Sequence, residues 1–279
     1  MLKFAYASDI HLGFFPDTEL PALHWHPDAR VILLAGDIMD GIRASHIDWV
    51  LKACEGRVGL MTLGNHELYR GRRDKAVRVL NDAFRGSHVS LLLNESVVVE
   101  GVRIGGTDLW TDYNLHGDQL SARTQAERQM NDFRKIRYKD PAGCYRKLRA
   151  RDVLQWHSEG LEFISDLLNE SQEPVVLMTH HAPSRQSIPA VYRNEPLSPA
   201  FASDLDSVFA ITRRPPAVAV HGHIHQTQDH VMPCGTRVLA NPYGYHGVEQ
   251  NPQFNPRNLV SVDEHGEVNV LVADNVAPD

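Results

Sequence analysis

Residues able to grip a hard or borderline cation recur at five places in the sequence, each directly after a short apolar run. Asp9-Ile10-His11 follows Leu2 to Ala7, and Gly36-Asp37-Ile38-Met39-Asp40 follows Val31 to Ala35. Gly64-Asn65-His66-Glu67 follows Val58 to Leu63, His180-His181 follows Val175 to Thr179, and His221-Gly222-His223-Ile224-His225 follows Ala217 to Val220. Imidazole combined with carboxylate and amide oxygen, without thiolate, suits Mn, Fe, Zn, Ni or Co better than Ca. The donors outnumber what one tetrahedral ion needs, so a two-metal site of the kind used for phosphoryl displacement is the economical reading. Residues i and i+2 of an extended chain point the same way, so Asp9 and His11 are expected to share an ion, as is one or both of the pairs within His221 to His225. Glycines 36, 64 and 222 are expected to let the backbone turn sharply beside the site.

Each block has a plain alternative. A lone histidine after a strand is usually solvated or satisfied in the core, Asp40 could be a helix N-cap before Ile42, and Gly-Asn-His could be an ordinary turn. Five such blocks at five successive strand ends are not explained that way. In open α/β sheets ligands bind beyond the carboxyl ends of the strands, where five such tips converge.

The elements that must position them are legible as apolar runs bounded by turn signals. Helical stretches are expected over Ser45 to Cys54 and Lys75 to Phe84, between the buried strands, which implies a partly parallel sheet with helices packed on it. Two stretches read instead as antiparallel hairpins: Ser96 to Trp110, turning at Glu100-Gly101, and Asn258 to Asp274, turning at His265-Gly266. Apolar periodicity fades between Thr111 and Gly143, read as a polar helical excursion, and returns over Arg146 to Leu168 as a core-facing helix. Ser184 to Pro199 and Asn241 to Pro256 read as loops at the rim of a site. One globular unit over 1–279 is expected.

Composition narrows the class. With 28 Lys and Arg against 35 Asp and Glu, the net charge is −7, so no global basic field collects nucleic acid or anionic lipid. Sixteen histidines are the compositional oddity. No apolar run approaches a membrane span and the strand pattern begins at Leu2, leaving no room for a leader, so a soluble cytoplasmic protein is expected. Cys54, Cys144 and Cys234 are odd in number and far apart, which fits a reducing compartment and argues against a zinc–thiolate site.

The ordered set D-x-H, G-D-x-x-D, G-N-H-E, a strand ending in His, and G-H-x-H, from Asp9 to His225, resembles the calcineurin-like metallophosphoesterases. The resemblance implies a four-layer α/β/β/α sandwich with two mixed β-sheets. By position it implies Asp9, His11 and His225 on one metal, Asn65, His180 and His223 on the other, and Asp37 bridging both. His180 is taken over His181 because neighbours in extended chain face opposite ways and His180 lies nearer the strand. His66 would be the non-ligand histidine facing the leaving group, oriented by Asp40. Relatives acting on phosphoproteins carry Arg directly after the second Asp of G-D-x-x-D; here Gly41 and Ile42 stand there.

The implied activity is hydrolysis of a phosphoester by a hydroxide bridging two divalent ions, Mn²⁺ first, with Fe, Zn, Ni, Co or Mg as alternatives. A phosphodiesterase on a small nucleotide or similar substrate is expected, without a membrane partner, ahead of a phosphomonoesterase or a catalytically silent protein-binding scaffold. Oligomeric state is left open, and a nuclease lacks a basic stripe. Residues 107–143, with Trp110, Tyr113, Asn131, Arg134 and Arg137, are expected as either a cap over the entrance or a solvated surface helix.

Overall fold

The computed structural model describes residues 1–140 and 142–272. Residues 273 and 274 of the second expected hairpin, and 141 within the 107–143 stretch, lie outside them. In chain order the strands are β1 Leu2–Ala7, β2 Val31–Ala35, β3 Val58–Thr62, β4 Val89–Leu91, β5 Glu95–Val99, β6 Val102–Thr107, β7 Arg137–Lys139, β8 Tyr145–Lys147, β9 Val175–Thr179, β10 Val218–His221, β11 Gln228–Val231, β12 Arg237–Ala240, β13 Gly244–Tyr245, β14 Glu249–Gln250, β15 Leu259–Val262 and β16 Val268–Leu271. The α-helices are α1 Ala44–Ala53, α2 Arg73–Phe84, α3 Gln119–Gln129, α4 Asp132–Lys135, α5 Ala150–Glu170 and α6 Asp206–Ala210.

Two six-stranded mixed sheets form, ordered β16-β15-β1-β2-β3-β4 and β11-β12-β10-β9-β6-β5. Strand alternation decides how they stack. Leu2, Phe4, Tyr6, Val31, Leu33 and Leu60 point to one face and meet Val102, Ile104, Val176, Met178, Val218 and Val220 of the other sheet. On the opposite face of the first sheet, Ala5, Ile32, Leu34 and Met61 pack with α1 and α2 residues such as Val50 and Leu80. On the outer face of the second sheet, Val175, Leu177 and Ala219 pack on Ile164 and Leu168 of α5 and Phe209 of α6. Four layers result, as the motif set implied. Leu33 and Leu34 are both fully buried, and each such side chain stabilises by roughly 1.5–3 kcal/mol relative to exposure.

β1, β2 and β3 run parallel, as do β6, β9, β10 and β12, so their carboxyl tips share an edge within each sheet. At that edge His180 Nδ1–H donates to the Ala35 carbonyl across the sheets at 2.9 Å. Two local expectations are corrected. The expected polar helix over 111–143 is broken into α3 and α4 and followed by a β7–β8 hairpin. The core helix expected from Arg146 begins only at Ala150, because Asp152 accepts from the Arg149 amide at 2.9 Å and is forked by Arg146, which itself lies in β8.

Candidate metal centre

All five strand-tip blocks meet. The ligand-type atoms of Asp9, His11 and His225 lie within 4.8 Å of one another, as do those of Asp37, His180 and His223. In the first cluster His225 Nε2 is 3.5 Å from Asp9 Oδ1, and the Nε2 atoms of His11 and His225 face each other at 3.2 Å. In the second, His180 Nε2 stands 3.4 Å from Asp37 Oδ2 and 3.0 Å from Asn65 Oδ1, which adds an amide oxygen. Asp37 Oδ2 also faces the Nε2 atoms of His11 and His66, each at 3.9 Å, so one carboxylate looks toward both clusters.

The backbone at this edge is unusual. Asp9, His11, Asp37 and His223 all have φ between 50 and 65°, the left-handed region that side chains with a Cβ seldom enter, and strained backbone of this sort gathers at functional sites. Asp9 and His11 therefore do not converge by strand alternation, as their spacing implied; a left-handed turn at each aims them. His221 stays inside as the last residue of β10, its Nδ1 donating to the Gly222 carbonyl and its Nε2 accepting from Ser187 Oγ at 2.9 Å. The glycines also act differently from expectation. Only Gly36 has a positive φ; a Cβ on Gly64 would collide with the Asp37 carboxylate, and one on Gly222 would come within 2.7 Å of Asp9 Oδ2. Gly64 and Gly222 are needed for close approach rather than for a turn.

Electrostatics follow from burial and proximity. Burial disfavours the ionised form of Asp37, but His180 and His66 more than offset this and hold it well below the usual carboxylate range. The same pairing raises His180 to about 10 against the effect of its own burial. Burial, reinforced by His181 and His180, keeps His223 neutral, and its Nε2 is buried with no hydrogen-bond partner among the described residues. An orphaned imidazole nitrogen, two Nε2 positions face to face, and carboxylates ringed by imidazoles fit bound divalent cations. His180 Nδ1–H bonded to Ala35 fixes the tautomer that leaves Nε2 free, the outer support metal-binding histidines generally have. His181 stacks on Trp110 at 4.9 Å, packs 4.1 Å from the His223 ring, and has no hydrogen-bond partner for either ring nitrogen among the described residues.

His66 stands at the rim. Its Nδ1 is 2.6 Å from Asp40 Oδ1, while Asp40 Oδ2 accepts from the Gly13 amide at 3.1 Å. Asp40 is thus no N-cap; α1 begins four residues later, after Arg43. Burial lowers the affinity of His66 for a proton, but Asp37 and Asp40 more than restore it, so its pKa lies above the ordinary imidazole value.

Three further residues shape the site without having been singled out by spacing. Glu67 is buried and braces two loops, accepting from the amides of Gly64, Asp37 and Met39 at 2.7, 3.0 and 2.9 Å. Asp132, also buried, accepts from Asn65 Nδ2 at 2.8 Å and from the Tyr69 hydroxyl at 2.9 Å, so the amide oxygen of Asn65 is left facing His180. Tyr245, on the β13–β14 hairpin, sets its ring 4.4 Å from that of His11 and its hydroxyl 3.4 Å from His66 Nε2. Glu67 lies inside a motif block; Asp132, alone in a charge-rich stretch, carries no pattern at all. Within the 107–143 segment Trp110, Tyr113, Asp132 and Phe133 are buried, whereas Leu120 of α3 stands exposed.

The sequence model of the calcineurin-like phosphoesterases matches residues 2–227. The chain belongs to that family. Its members depend on binuclear metal centres, and the clusters around Asp37 are placed to serve as one. Tyr245 and its hairpin lie beyond the matched region. A phosphopantetheinyl hydrolase from Mycobacterium tuberculosis shares the fold with a TM-score of 0.67 at 19% identity, over 99% of this chain and 98% of that one. A dimetal phosphatase from Danio rerio does so with a TM-score of 0.51 at 17% identity, over 93% and 92% of the two chains. The uncharacterized protein L509 of Acanthamoeba polyphaga mimivirus is 24% identical over 214 residues, 72% of either chain. No described helix is long and apolar enough to cross a membrane.

Proposed function

We propose that this phosphoesterase hydrolyses phosphodiesters of small nucleotide-like molecules at a binuclear centre. Asp9, His11 and His225 hold one cation, Asn65, His180 and His223 the other, and Asp37 bridges. The observation that carries the reading is Asp37 Oδ2, faced from both sides by ring nitrogens of the two clusters with the His66–Asp40 pair beside it. Divalent cations, Mn²⁺ foremost, supply Lewis-acid charge against the phosphoryl oxygens and a lowered pKa for water.

The chain's own residues do the rest. His66 holds a proton on Nδ1 against Asp40 and presents Nε2 to the cleft, where it donates to the leaving oxygen as charge builds there. Asp40 fixes that ring and stabilises its charged form. Tyr245 and Phe14, with rings 4.6 Å apart, both pack on the His11 ring. The diester preference is supported by the surroundings of the clusters: among the described residues no Lys or Arg pairs with Asp9, Asp37 or Asp40, and Gly41-Ile42 occupy the place after Asp40. A dianionic monoester gains more from such a cation than a monoanionic diester does.

The test is the ratio of kcat/KM for bis-p-nitrophenyl phosphate to that for p-nitrophenyl phosphate with the Mn²⁺-loaded protein. A ratio above one is expected. A ratio below one overturns the diester assignment, and no turnover of either despite full metal occupancy overturns catalysis.

A further inference from the structure

Next to the His66–Asp40 pair lie adjoining cavities of about 200 and 340 Å³, the first lined also by Gly13 and Phe14. Both are bounded toward the site by Asp40 and Tyr69 and on the far side by Arg43 and Arg70; Lys135 closes the first, and the second runs on to Arg72 and Lys75. Asp40 and Tyr69 both touch His66, one at 2.6 Å and the other with ring centroids 4.1 Å apart. The cavities therefore abut the pair whose Nε2 face meets the leaving group. We infer that this basic recess is a subsite for a second phosphate carried on the leaving group of the substrate, an inference resting on the phosphoesterase reading above.

The charges are free for such a role. Arg70 and Lys135 have no ion pair among the described residues, and Arg43 has only a 3.4 Å contact with the exposed Asp17. The two acids in the walls are already engaged, Asp40 by His66 and the Gly13 amide and Glu67 by the amides of Gly64, Asp37 and Met39. In a chain of net charge −7, three cations facing one recess are a local feature and not background. The backbone holds them there. Arg70 sits at φ 62°, a left-handed conformation disfavoured for arginine, and its amide donates to the Lys135 carbonyl at 3.0 Å. The Arg137 amide donates to the Gly71 carbonyl at 2.9 Å, and Lys135 Nζ lies 4.6 Å over the Tyr69 ring. Segments some 65 residues apart are thus tied so that two cations flank one opening.

The position assigns the ligand. No ligand-type residue of the two clusters lines either cavity, and none of these cations pairs with Asp37, so they are not placed to neutralise the reacting phosphoryl group. A dianion on the departing portion meets both guanidinium forks and an ammonium, the combination that recognises phosphate. Bonds formed and broken are those of the parent hydrolysis; the second phosphate is bound and released unchanged.

The experiment compares inhibition of bis-p-nitrophenyl phosphate hydrolysis, in excess Mn²⁺, by adenosine 3′,5′-bisphosphate and by each of its two monophosphates. The bisphosphate is expected to have a Ki about tenfold lower, the order set by one charge-assisted hydrogen bond. The double variant Arg70→Gly/Lys135→Gln, in which glycine accepts the left-handed backbone, is expected to lose that advantage. Arg43→Gln, an exposed change, is expected to reduce it in part and serves if the double variant does not fold. Equal Ki values in the wild type, or an advantage kept in every variant, as simple metal stripping by the bisphosphate gives, overturns the subsite. Absence of any turnover by the metal-loaded wild type overturns the parent reading instead.

Discussion

The two clusters on either side of Asp37 are built by different means. Around Asn65 and His180 two donors are held by directed hydrogen bonds, Ala35 fixing the His180 ring and Asp132 and Tyr69 the Asn65 amide, and all of these groups are buried. Around His11 and His225 the support is looser. His225 is half-buried, its Nδ1 has only Glu249 at 3.8 Å, and the Tyr245 ring packs 4.6 Å away. Directed bonds pre-organise a ligand, whereas ring contacts allow it to shift, so the Asn65 side should bind its cation more tightly.

The largest effect should come from removing what the two sides share. Asp37→Asn is expected to release both cations, with a loss of kcat/KM well beyond the 10–100-fold that an outer partner contributes. Metal content after desalting checks it; retention of either ion shows that Asp37 is not the bridge. Next, His66→Ala should slow hydrolysis of an alkyl diester by about 10²–10⁴-fold while barely affecting bis-p-nitrophenyl phosphate, whose leaving group needs no proton. Equal losses on both would remove His66 from the acid role.

A smaller change sharpens the contrast itself. Asp132→Ala frees the Asn65 amide to turn and is expected to weaken one cation by about 10–100-fold while leaving the other nearly unchanged, read by calorimetric Mn²⁺ titration. If both weaken alike, the two sides are not independently supported. The smallest expected effect lies outside the centre. His157 is buried with Nδ1 3.0 Å from the Leu109 carbonyl, and burial holds it below the ordinary imidazole range. Its neutral form is the folded one, so its contribution to stability is complete above a pH of about 6.5 and is lost as pH falls from there toward its folded pKa. Between about pH 7 and 5 the Tm of His157→Phe should fall less than that of the wild type.

How much of this was legible in the sequence varies from residue to residue. β1, β2 and β9 run over the residues that apolar patterning marked, because strands buried on both faces must be apolar throughout. Glu100-Gly101 turned the first hairpin as expected, with φ of 49° and 80°. The convergence of the five tips follows from parallel strand order, which the alternation of strands and helices implied. What local pattern could not convey was conformation and long-range contact. The left-handed turns at Asp9 and His11 have no glycine to announce them, and Asp132 meets Asn65 only through tertiary structure. The β7–β8 hairpin hid in a stretch whose polarity resembles a solvated helix.

One feature of the first sheet bears on when the centre can come into being. Leu2 of β1 pairs with Val262 of β15, and the Tyr6 carbonyl accepts from Asn241 Nδ2, so the strand that presents Asp9 and His11 has a neighbour from far along the chain. On a ribosome, β1 must wait until β15 has emerged before its open edge is covered, and such late pairing slows folding. Under the ligand assignment proposed above, cation capture at Asp9 and His11 is expected late in biogenesis, once β15 has emerged to cover the apolar edge of β1.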